Sequence, residues 1–85
     1  MVQSETEKKE LVTRFIKENT FKEANLIKDD TMLFREGFFD SMGFVMLIDF
    51  LESNFNIKTN DSDLIEENFE SINAIAGFIG KKIKS

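Results

Sequence analysis

Residues 41–55 read Ser41-Met42-Gly43-Phe44-Val45-Met46-Leu47-Ile48-Asp49-Phe50-Leu51-Glu52-Ser53-Asn54-Phe55. Phe44, Leu47, Ile48, Leu51 and Phe55 recur at intervals of three and four, which puts them on one face of an α-helix as a core stripe. Met42, Val45, Met46, Asp49, Glu52 and Ser53 fall on the other face, and half of that outward face is apolar. Apolar residues exposed beside acids point to an interaction surface. The other reading is that Val45 or Met46 packs beneath the loop before the helix.

Immediately upstream stands Glu36-Gly37-Phe38-Phe39-Asp40. Ser41 therefore sits in the first turn of the strongest helix, directly after a glycine-containing loop, where its hydroxyl is expected to be exposed. A phosphodiester there would face free backbone N–H groups and the positive end of the helix dipole. Asp and Ser are also preferred N-cap residues, so an ordinary cap explains the same pair. These residues alone leave both readings open.

Working outward, Ser4-Glu5-Thr6-Glu7 has the form of a capping box. Leu11, Val12, Phe15 and Ile16 behind it share one face, predicting a helix over roughly residues 4–18. Residues 19–40 show no clean period, although they hold Phe21, Leu26, Ile27, Met32, Leu33, Phe34, Phe38 and Phe39. A loop this long in a compact domain is usually functional, and its apolar content predicts that it packs down. A short helical turn near 21–26 is compatible with it. After a connection at 56–60, the acidic start of Asp61–Glu66 predicts a short helix. Ser71 then caps a last helix over 71–83, with Ile72, Ile75, Ala76, Ile79 and Ile83 in helical spacing and lysines near its end. The expectation is one all-α domain over residues 1–85: three main helices, one short helix and a long first loop.

The chain has 85 residues, no Cys and no His. Thiol nucleophiles, imidazole bases, disulfides and the usual zinc ligands are excluded together. A lone serine lacks an activating neighbour, so no catalytic residue is expected. No metal site is expected either. Asp61-Ser62-Asp63 opens like a calcium loop, but Glu66 stands where that loop needs glycine and Ile72 where it needs glutamate. The net charge is −5. Residues 36–70 hold nine acids and only Lys58, a balance of −8, whereas residues 1–35 balance at zero. Such a distribution argues against nucleic acid and for protein partners with basic surfaces. The N-terminus lacks a signal pattern, and the longest strictly apolar run, Phe44–Ile48, is too short to span a bilayer. A soluble, cytoplasmic, monomeric protein without membrane insertion is the expectation.

The stretch Gly37-Phe38-Phe39-Asp40-Ser41-Met42 resembles the attachment motif of the acyl carrier protein family and its peptidyl and D-alanyl carrier relatives, Asp-Ser-Leu or Asp-Ser-Met after a glycine and two apolar residues. Leu47, Leu51-Glu52 and Phe55 match that family's next helix, and Asp63-Leu64 through Glu67-Asn68-Phe69-Glu70-Ser71-Ile72 looks like the lead into its last one. The resemblance covers roughly residues 5–83.

It implies a bundle of three long helices and one short helix. It implies that Ser41 receives 4'-phosphopantetheine from coenzyme A through a phosphopantetheinyl transferase that needs magnesium. The arm's thiol would carry acyl or aminoacyl intermediates as thioesters, delivered to ligase, synthase or transferase enzymes in fatty-acid, polyketide or related biosynthesis. Such a chain is a carrier and not an enzyme, and tethering raises the cargo's effective concentration at each partner. Asp40, Met42, Val45, Met46, Asp49 and Glu52 would touch partners, and Phe44 would line or plug a cargo cavity, favouring short or polar cargo. Fatty-acid-synthase carriers usually have acids where Gly43 and Met46 stand here. Their absence implies docking through Met42, Val45 and Met46 more than through ion pairs, as suits a specialised pathway. The alternative is a helical adaptor with no prosthetic group that binds a partner through the acidic helix.

Overall fold

The computed structural model describes residues 5–20 and 23–84. Among these the elements in order are α1 (Glu5–Asn19), a 3-10 turn (Ala24–Leu26), α2 (Ser41–Phe55), a second 3-10 turn (Asp61–Asp63), α3 (Glu66–Phe69) and α4 (Ile72–Lys84). The expected all-helical bundle with its long first loop is present. The Ser4 cap lies outside the described residues, as do Phe21 and Lys22 in the loop.

Helix α2 has its expected bounds because pattern and punctuation agree. Asp40, extended at φ −119° and ψ −166°, accepts the Gly43 amide on its side chain at 3.1 Å. At the other end Asn56 turns into the left-handed region at φ 53°, which asparagine tolerates and which stops the helix. Helix α4 begins as its sequence predicts, with the Ser71 hydroxyl accepting the Ala74 amide at 3.1 Å.

The short helix is displaced from its expected position at 61–66. Asp63 is drawn back into its own turn: its carboxylate accepts the Asn60 amide at 2.9 Å and Lys82 Nζ at 2.8 Å. Its carbonyl accepts Asn68 Nδ2 at 2.7 Å. The chain leaves the turn, runs extended through Ile65, and restarts as α3 at Glu66, which carries Phe69 inward.

Val12 and Ile16 of α1, Leu47 and Leu51 of α2, Phe69 of α3, and Ile72, Ile75 and Ile79 of α4 are buried together. Helix α4 packs chiefly on α1 and α3. The first loop adds Ile27, Leu33, Phe38 and Phe39 to the same core. Its path is held by backbone bonds without local period: Leu33 N–H donates to Glu70 O at 2.8 Å and Asn73 N–H to Asp29 O at 3.0 Å. The Leu33 carbonyl accepts both Phe38 and Phe39 amides, and Gly37 makes the reversal between them at φ 80°. The loop therefore delivers Asp40 and Ser41 from a fixed direction.

Candidate functional site: a serine at the head of α2

Ser41 is the first residue of α2 and its side chain is exposed. The Gly43 amide is taken by the Asp40 carboxylate and the Phe44 amide by the Asp40 carbonyl. The amides of Ser41 and Met42 precede any upstream partner within the helix and point out at its positive end. An exposed hydroxyl thus stands beside backbone donors on a rigid element.

Next to it opens a groove of about 560 Å³. Ser41, Asp40 and Arg35 form one part of its lining, and Phe44, Ile65 and Phe69 form the apolar part. Phe44 lines the groove; its ring meets Phe34 edge-on at 5.8 Å and Phe69 at 5.3 Å. Leu64 and Ile65, which periodicity would place within the expected short helix, are exposed apolar residues bordering the same groove. The pair Arg35 Nε to Glu66 Oε2, at 3.2 Å, links the first loop to α3 beside it. Neither feature was singled out by the sequence reading, because both depend on where the chain restarts after Asp63.

Met42, Val45 and Met46 are 68%, 62% and 43% exposed, so neither Val45 nor Met46 lies under the loop. Asp49 is exposed beside them. Glu52 is engaged within the chain through one carboxylate oxygen, Oε2. It accepts both the Thr59 amide, at 3.0 Å, and the Thr59 hydroxyl, at 2.7 Å. Those bonds, led by the backbone one, hold its pKa below the usual glutamate value. Glu52 thereby ties the 56–60 connection to α2.

Gly43 also has a structural reason. It is buried, and a Cβ on it would lie 3.1 Å from Phe39 Cγ. Gly43 therefore faces Phe39 and lies off the exposed outer face of Met42, Val45 and Met46.

An exposed serine on a capped helix, fed by a fixed loop and flanked by a groove, is the arrangement of a carrier-type helical domain. A family model for the phosphopantetheine attachment site matches residues 10–79, and the chain belongs to that family. The domain is accordingly a carrier that holds 4'-phosphopantetheine and works with a phosphopantetheinyl transferase and biosynthetic enzymes. No curated protein matches the sequence significantly. No helix among the described residues is long and apolar enough to cross a membrane.

Proposed function

We propose that Ser41 Oγ is the atom that bears the phosphopantetheine, and that the chain serves a specialised fatty-acid, polyketide or related pathway as a cytoplasmic monomer. The observation that carries the assignment is the position of Ser41: exposed, first in α2, and at the rim of the 560 Å³ groove. The residues present suit the group. Its phosphodiester would meet the first amides of α2, and its chain has the apolar wall of Phe44, Ile65 and Phe69 alongside. When bound, the group supplies a terminal thiol that holds acyl or aminoacyl cargo.

This chain's own residues then do three things. Asp40 fixes the head of α2 through the Gly43 amide, so the hydroxyl keeps its orientation. Phe44 limits the groove's depth by filling the space against Phe34 and Phe69, which favours short or polar cargo. Met42, Val45 and Met46, with Asp49, offer partners an outer face that is mainly apolar. The reliance on apolar contact supports a dedicated ligase, synthase or transferase as partner.

Incubation with coenzyme A, magnesium and a promiscuous phosphopantetheinyl transferase, read by intact mass, tests the assignment. Wild type gains one phosphopantetheine and Ser41→Ala gains none. A wild type that stays unmodified overturns the attachment, and a gain that survives Ser41→Ala moves it to another residue.

A further inference from the structure

The groove beside Ser41 is lined by two carboxylates, Asp40 and Glu66, and among its described lining residues Arg35 alone is cationic. A phosphodiester on Ser41 would add a third negative charge to that space. Asp40 is occupied with capping α2. Arg35 meets Glu66 through Nε only, at 3.2 Å, with side chains 70% and 52% exposed. A solvated pair of this kind is weak and readily exchanged. The contact leaves the two terminal nitrogens of the guanidinium, the part of the fork that grips phosphate oxygens, without a partner among the described residues.

We infer that Arg35 is the counter-ion of the phosphodiester on Ser41, a positioning residue that fixes the root of the arm against the groove. In the unmodified protein Glu66 holds Arg35 at the groove, and after modification the guanidinium turns its terminal nitrogens to the phosphate. The inference rests on the Ser41 assignment. It goes beyond it by naming the side chain that reads the attached group and by giving Glu66 the role of keeping that side chain in place beforehand.

The test is NMR on the modified protein, with the arm's attachment verified by intact mass in each variant. Attachment should move the Arg35 Nε–Hε resonance. Arg35→Gln should shift the 31P resonance of the phosphodiester, while Glu66→Gln, which breaks the same ion pair but keeps the guanidinium, should leave it near the wild-type position. Arg14→Gln, an exposed arginine of α1, should also leave it there. A 31P resonance unchanged by Arg35→Gln on a fully loaded protein overturns the inference and leaves the Ser41 assignment intact. Equal shifts in Arg35→Gln and Glu66→Gln also overturn it, since the effect would then come from the lost tie between loop and α3. A wild type that gains no mass refutes the Ser41 assignment instead.

Discussion

The Cβ that Gly43 lacks would stand 3.1 Å from Cγ of Phe39 and 3.3 Å from its Cβ. Phe39 is itself buried, so it has little room to retreat. A glycine inside a helix ordinarily costs stability, and here the cost is offset by seating Phe39 against the first turn of α2.

Gly43→Asp should therefore destabilise the fold, although a carboxylate near a helix N-terminus is otherwise favourable. Overpacking of this kind costs about 1–3 kcal/mol. The contrasting change is Gly77→Ala in α4, where a Cβ would meet nothing within 4 Å. It should gain about 0.5–1 kcal/mol from helix propensity alone. Urea denaturation of the two variants beside wild type checks both signs, and a stabilised Gly43→Asp would contradict the packing account.

Phe69 tests the core under the groove. It is fully buried, meets Phe44 at 5.3 Å and Phe78 at 4.9 Å, and is the one fully buried side chain of the short helix α3. Phe69→Ala should cost about 3–5 kcal/mol. Against a total of about 5–15 kcal/mol for a typical domain, that is a large share. Thermal unfolding followed by far-UV circular dichroism should show a much lower midpoint, together with a broader Phe44 environment by NMR.

Asp63 gives the pH dependence its sign. The hydrogen bond from Lys82, then that from the Asn60 amide, holds its pKa below the ordinary aspartate value. A carboxylate with a depressed folded-state pKa adds stability that is complete above its unfolded pKa, about 3.9, and is lost as pH falls through the folded value. The stability gap between wild type and Asp63→Asn should thus be full at neutral pH and close in acid below the ordinary aspartate range. Chemical denaturation of both proteins across that range is the measurement; a gap that widened in acid would reverse the assignment.

Much of this arrangement is legible in the residues, and the exceptions share a cause. Helix α2 could be bounded because its Asp40 cap and its Asn56 stop directly flank its own stripe. Ser71 announced α4 in the same local way. The expected position of the short helix is a few residues early, because Lys82, nineteen residues on, joins the Asn60 amide in holding Asp63 in its own turn. Leu33, Phe38 and Phe39 showed no period because backbone bonds to Glu70 and around Gly37 aim them inward. Phe50, absent from the core stripe, is half-buried because Phe15 of α1 stacks on it at 4.3 Å. For the site, the exposure of Ser41 at a helix head was legible in the residues, its attachment role came only with the family resemblance, and the bonds of Glu52 needed Thr59 to be seen beside it.

The tie from Glu52 to Thr59 can be read by experiment. Glu52→Gln weakens two charge-assisted bonds to Thr59, so the Thr59 amide should exchange with solvent faster in hydrogen-exchange NMR. The outer face of Met42, Val45 and Met46 should be undisturbed, and attachment of the arm to Ser41 should keep its wild-type rate. Unchanged protection at Thr59 would remove the tie from the account.

The outer face itself should bind through apolar contact. Met42 and Val45 are its most exposed members, and the nearest uncommitted acid is Asp49. Burying a methionine side chain is worth about 1.5–3 kcal/mol when complete, whereas an exposed ion pair contributes about 0–1 kcal/mol. Met42→Ser should therefore weaken binding to a cognate enzyme more than Asp49→Asn does, by roughly tenfold against a few-fold. Raising salt from 0.05 to about 0.5 M shortens the screening length several-fold and would strip ion pairs from an electrostatic interface. Binding that survives this titration while failing in Met42→Ser is the expected result, and a steep loss with salt would show that charge, not the methionine face, holds the partner.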